Sequence, residues 1–219
     1  MIVEKKGIVY ELDMNKKTGS VKYSDSMLIE AKILETINGC VIDTIDSKGF
    51  FHCEKLKKVY IPDTIKKIKN DAFNSCYKLK KINNNNNINA EIIGFFAFAN
   101  CKSLTSIKFN ELISLGKGAL SNCEELKFVY FPEDGFEIIE ENTIMNCSNL
   151  MDIILTKGIK KVKNNFEGCS NLNKITFKNN NLDLMPFIQN ISKDVLLLGE
   201  NHSTAQQLSI YGYNFKLVN

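Results

Sequence analysis

The chain has no arginine and no tryptophan, only three prolines and two histidines, and a formal net charge of just +3. Each shortage closes off a class of chemistry. All 28 basic residues are lysine, which counts against sequence-specific nucleic-acid binding, because the planar guanidinium fork is the usual reader of guanine edges and phosphates. The small net charge implies no strongly charged partner. No apolar run approaches the roughly 20 residues a membrane helix needs, so membrane insertion is not expected. The opening MIVEKKGIVYELD has no apolar signal core of roughly 7–15 residues, so the residues by themselves point to a chain made and kept in the cytosol.

Catalytic and cofactor signatures are missing too. No C-x-x-C pair provides zinc or thioredoxin-like spacing, and there is no glycine-rich phosphate loop, so neither metal nor cofactor is expected. His52 stands next to Cys53, but adjacent residues of a strand or turn point apart, and nucleophile and base would not meet. His202 falls in a turn near the C-terminus and reads as solvated. The carboxylates (Glu124-Glu125, Glu140-Glu141 among them) are scattered with no cleft to set two pKa values apart. No enzyme is expected. Sequons at Asn146, Asn190 and Asn201 are what chance gives in so Asn-rich a chain.

What is present is a repeat. Aligning six cysteines gives CEKLKKVYI, CYKLKKINN, CKSLTSIKF, CEELKFVYF, CSNLMDIIL and CSNLNKITF, from Cys53, Cys76, Cys101, Cys123, Cys147 and Cys169, at intervals of 22 to 25 residues. Self-similarity at that period marks a solenoid. Equivalent residues then stack about 4.8 Å apart. Side chains in such a stack point the same way, whereas a disulfide needs a Cβ–S–S–Cβ torsion near 90°. The six cysteines therefore read as buried, reduced thiols serving as small hydrophobes.

Within one coil, Leu56, Val59 and Ile61 face inward while Lys58 and Tyr60 alternate outward, a short strand that ends at Pro62. Ile65 and Ile68 begin a second extended segment. Asn70-Asp71 then opens a brief helical turn carrying a small residue and a large one: Gly49-Phe50, Ala72-Phe73, Ala97-Phe98, Ala119-Leu120. Thr143-Ile144 keeps the pattern loosely, and one residue is missing at Asn165-Phe166, which predicts a tighter coil. The run from Asn83 to Ala90 lengthens one coil and reads as an inert bulge.

The fold expected is a single solenoid over residues 1–219, β-rich with brief helical turns. A β-hairpin cap occupies 1–24, repeats fill 25–190, and a helix-strand cap covers 191–219, with a helix from Ser203 and a last strand from Phe215 to Val218. Caps are needed because a terminal coil exposes its apolar face and strand edge.

These residues resemble the BspA-type leucine-rich repeat family. The coil pattern is seen in Ile68…Ala72-Phe73…Cys76…Leu79…Ile82 and Cys53…Leu56…Val59-Tyr60-Ile61-Pro62, and the closing Gly199…His202-Ser203-Thr204-Ala205 is similar to the family's last segment. The resemblance implies a non-enzymatic binding solenoid, commonly a bacterial or protozoan surface protein engaged in adhesion to host matrix proteins and other cells.

The residues themselves single out one face. Outward positions of the post-cysteine strands form pairs: Lys58 and Tyr60, Lys81 and Asn83, Ser106 and Lys108, Phe128 and Tyr130, Asp152 and Ile154, Lys174 and Thr176. They are expected to make two columns on one sheet. Phe128, Tyr130 and Ile154 are apolar groups the core does not require, and aromatic residues among lysines are the make-up of an interface hot spot. A protein or peptide ligand is expected there, with the chain a monomer. Lys66, Lys67, Lys69, Lys160, Lys161 and Lys163 read as solubilising the other face. The alternative is a cytosolic partner or regulatory protein whose curved sheet masks another protein.

Overall fold

Two short strands per coil, both with alternating burial, make two parallel stacks that enclose the core. A computed structural model describes residues 1–180, 182, 190–200 and 204–217. The post-cysteine strands Lys58–Tyr60, Lys81–Ile82, Ser106–Phe109, Phe128–Tyr130, Asp152–Leu155 and Lys174–Phe177 form the front. They bury Val59, Ile82, Ile107, Val129, Ile153 and Ile175. On the opposite side run Lys67–Ile68, Ile92–Ile93, Ser114–Leu115, Ile138–Ile139 and Lys161–Val162. In each of these two-residue strands the second side chain points into the core.

At the N-terminus three strands, not two, precede the coils: Ile2–Lys5, Ile8–Asp13 and Thr18–Ser24. They form an antiparallel meander, and the third pairs in parallel with Cys40–Ile45, so the meander continues the rear sheet. At the other end Leu196–Gly199 and Asn214–Leu217 extend the front sheet in parallel beyond Lys174–Phe177, with the helix Thr204–Ser209 between them. Ser203 and Val218, assigned from sequence to that helix and strand, lie outside the described residues.

The segments joining rear strand to cysteine are compact turns rather than helical ones. Each holds two residues of positive φ four apart: Lys48 and His52, Asp71 and Ser75, Phe96 and Asn100, Gly118 and Asn122, Asn142 and Asn146. Amides between them donate to the next coil, Phe50 N to Ala72 O at 2.7 Å, Phe73 N to Ala97 O at 2.7 Å and Phe98 N to Ala119 O at 2.9 Å. Donors spent between coils cannot close a helix within one. Asn is among the residues that tolerate the left-handed region, and it fills the position before the cysteine at Asn100, Asn122 and Asn146. There its amide also bonds sideways: Asn100 Nδ2 donates to Asn74 Oδ1 (2.9 Å), Asn122 Nδ2 to Asn100 Oδ1 (3.1 Å) and Asn146 Nδ2 to Asn122 Oδ1 (2.9 Å).

The core is layered in the same way. Phe50, Phe73 and Phe98 stack nearly parallel with centroids 4.9 and 5.1 Å apart. Beside them the thiols do more than fill space. Cys76 Sγ donates to Phe50 O (3.1 Å), Cys101 to Phe73 O (3.3 Å), Cys123 to Phe98 O (3.2 Å) and Cys147 to Leu120 O (3.2 Å), each reaching one coil back. All seven cysteines are buried and unbridged. Close approach of coils needs glycine at two successive positions: a Cβ on Gly94 would lie 2.6 Å from the backbone N of Asn70, and one on Gly116 2.5 Å from backbone atoms of Gly94 and Phe95.

Burial pushes the Cys101 thiol well up, and that of Cys123 up to about 12. In the unfolded chain these thiols ionise near the ordinary value of about 8.5. The stability they contribute is therefore complete below that pH and is lost as pH rises toward the folded value. Denaturant melts between neutral and strongly alkaline pH should show a midpoint that holds to about pH 8.5 and then falls. A flat midpoint to about pH 11 would contradict the buried, neutral thiols.

Two coils depart from the pattern. Where one residue is missing, the turn tightens as expected: Phe166 takes positive φ in place of the earlier corner residue. The buried Asn165 then lends its side chain to the backbone network, Oδ1 accepting from Ile144 N at 2.9 Å and Nδ2 donating to Glu140 O at 2.7 Å. The Asn run is not an inert bulge. Asn86 is buried, its Oδ1 accepting from Ile82 N (2.9 Å) and its Nδ2 donating to Ser106 Oγ (2.9 Å). Asn87–Ile88 then becomes a strand of its own beside Lys108 and Phe109.

Candidate functional site

That insertion divides the front. Glu30–Lys32, Lys58–Tyr60 and Lys81–Ile82 form a three-stranded sheet, and Asn87–Ile88 starts a separate seven-stranded one running through to Asn214–Leu217. The single sheet expected from the alternation is thus two sheets. Lys58, Tyr60 and Lys81 lie on the smaller. Lys108, Phe128, Tyr130, Asp152, Ile154, Lys174 and Thr176 lie together on the larger.

On the smaller sheet Lys58 stands beside Lys81, and its ammonium lies 4.2 Å from the centre of the half-buried Tyr60 ring. A cation over an aromatic face offsets some of that like-charge repulsion. Asn83 does not project freely, since its Oδ1 accepts from Ile61 N at 2.8 Å and its Nδ2 donates to Asn87 O at 2.8 Å.

On the larger sheet the outward positions fall in register: Ser106 beside Phe128, Phe128 beside Asp152, Asp152 beside Lys174, Lys108 beside Tyr130, Ile154 beside Thr176. Phe128 and Tyr130 stack on one another with centroids 6.3 Å apart. Tyr130 is 45% exposed and Ile154 36%. Asp152 and Lys174 neutralise each other at 2.5 Å, leaving the middle of the face without net charge. The inward neighbours Leu126, Val129 and Ile153 are buried, so a rigid layer holds these groups in place.

Sequence reasoning missed two features. The face continues past Thr176 to Leu198 and Lys216, because strands outside the cysteine repeat add to the same sheet. Further exposed apolar side chains lie in and next to the rear strands Ile92–Ile93 and Ser114–Leu115: Ile92, Phe95 (54% exposed), Phe96 and Ile113 (58%). The stretch Gly94-Phe95-Phe96 has no core position in the repeat, and that is the signal that could have found them.

Among the described residues, four of the six rear lysines sit in ion pairs: Lys66 with Glu111 (2.6 Å), Lys69 with Asp46 (2.6 Å), Lys163 with Glu140 (2.6 Å), and Lys160 with Glu137. His52 is exposed, with Nδ1 3.4 Å from Glu54 Oε1, while Cys53 Sγ lies 3.2 Å from Ser24 Oγ, so these neighbours serve separate surroundings. Among the described residues no His, Cys, Asp or Glu group could hold a metal, and no helix is long and apolar enough to cross a membrane.

Comparison with known proteins agrees with this geometry. The chain superposes on a leucine-rich repeat protein of T. pallidum with a TM-score of 0.73 at 21% identity, covering 99% of this chain and 98% of that one. A leucine-rich repeat protein from Eubacterium ventriosum gives a TM-score of 0.66 at 19% identity, covering 100% of this chain and 50% of that one. No curated protein matches. The family model described as the BspA type leucine rich repeat region matches in six copies, over residues 24–137 and 87–187. With the cysteine-led coil, two parallel stacks and a buried aromatic row all in place, the chain belongs to the BspA-type leucine-rich repeat family.

Proposed function

We propose that this chain is a non-enzymatic protein-binding module of adhesin type that engages a protein or peptide through its larger front sheet. Membership of a repeat family that builds interaction scaffolds supports the reading in general terms. The observation that carries it is the stack of half-buried Phe128 on exposed Tyr130, with exposed Ile154 on the neighbouring strand, on a rigid parallel sheet whose own core lies beneath it. Apolar and aromatic groups held in place at the centre of a face, with polar groups outside, are the arrangement in which a few residues supply most of the binding energy. We read 1–219 as one domain, with 1–24 and 191–219 covering the ends of the stack.

The test is Phe128→Ala combined with Tyr130→Ala. Partner capture should be carried out in parallel from host matrix proteins and from native lysate. The double variant should lose about 2 kcal/mol or more of binding, roughly thirtyfold, because hot-spot truncations cost that much. Its melting temperature should stay within a few degrees of the parent, since outward groups away from special features change stability little. Capture unaffected by loss of both rings would overturn the site. Capture from matrix favours the surface adhesin. Capture only from lysate favours the second reading, a partner that masks another cellular protein, which the sheet's shape would serve equally.

A further inference from the structure

Resting on that reading of the front sheet, we propose that its partner presents an extended segment with an apolar middle and carboxylates at both ends, about seven residues apart. One outward row carries this inference. Register sets Lys108 beside Tyr130, Ile154 beside Thr176, Thr176 beside Leu198 and Leu198 beside Lys216. Continuing the Val129–Ile153 pairing by one residue places Tyr130 beside Ile154. The row therefore reads lysine, four uncharged side chains, lysine.

Neither terminal lysine has a carboxylate partner among the described residues, whereas rear-sheet Lys66, Lys69, Lys160 and Lys163 each hold one. The chain's own carboxylates thus pair Lys174 in the middle of the front and these four lysines on the rear, and leave the two ends of an apolar strip on the front cationic. Complementary charge at a rim speeds encounter and fixes register, while the apolar centre supplies the burial. Strands in a sheet lie about 4.8 Å apart, so five steps separate the two lysines by about 24 Å. An extended polypeptide rises about 3.3 Å per residue, so about seven residues laid across the strands bring a carboxylate to each lysine.

The probe is a set of labelled synthetic peptides with glutamate at both ends of an alternating Val/Thr centre, the two glutamates roughly 4, 7 or 10 residues apart. A matching set has lysine ends. Fluorescence anisotropy against the full chain should show the glutamate peptide of middle spacing binding about tenfold more tightly than its lysine counterpart, with the preference shrinking in high salt. Lys108→Glu with Lys216→Glu, both at exposed positions, should reverse the preference without moving the melting temperature. Equal binding of both sets, a preference that survives the double charge reversal, or no binding by any peptide would overturn the proposal. If captured partner still depends on Phe128 and Tyr130 in that event, only the acid-ended segment falls. If it does not, the face falls as well.

Discussion

Phe73→Ala is expected to cost the fold about 3–5 kcal/mol, the range for removing a large ring from a packed interior. Phe73 is fully buried, and its ring is the middle member of the row with Phe50 and Phe98 on either side. Its removal leaves two rings facing one another across an empty layer. Collapse cannot fill that layer readily, because Phe73 N and Cys76 Sγ tie the coil to fixed carbonyls of Ala97 and Phe50. Equilibrium unfolding in denaturant, monitored by circular dichroism, reads the loss directly. A cost under about 1 kcal/mol would mean that the coils slide together, and that the aromatic row is not a rigid spine.

Leu126→Ala should cost about 2–5 kcal/mol, whereas Phe128→Ala, only two residues on, should cost less than about 1 kcal/mol. Leu126 is fully buried at the first inward position after Cys123, and Phe128 points the other way from the same strand region. A larger side chain is removed in the second case, so size alone predicts the opposite order. Only the inward and outward assignment yields the expected ranking. Comparable losses in the two variants would turn the front sheet inside out and remove the candidate site with it.

That assignment is legible in the residues alone because period-two alternation, locked to a cysteine every 22 to 25 residues, admits one inward set. Leu126, Val129 and Ile153 inward, with Tyr130 and Ile154 outward, follow from it. The thiols are legible as buried but not as donors, since a donor is recognisable only once the carbonyl one coil back is in place. The paired-asparagine row is hidden for the same reason. Asn74 precedes its cysteine by two residues and Asn100, Asn122 and Asn146 by one, so no fixed offset joins them. The break in the front sheet turns on one side chain: Asn86, indistinguishable in a run of five, captures Ile82 N and so ends one sheet before the next begins.

Residue type and period set the coil, its core positions and the side of each strand that meets solvent, because burial repeats every coil. The tertiary structure alone decided where the front sheet divides, how far it runs toward Lys216 and which lysines find carboxylates. Those depend on backbone amides and charges brought together from separate coils, and contacts of that kind leave no local pattern in the chain.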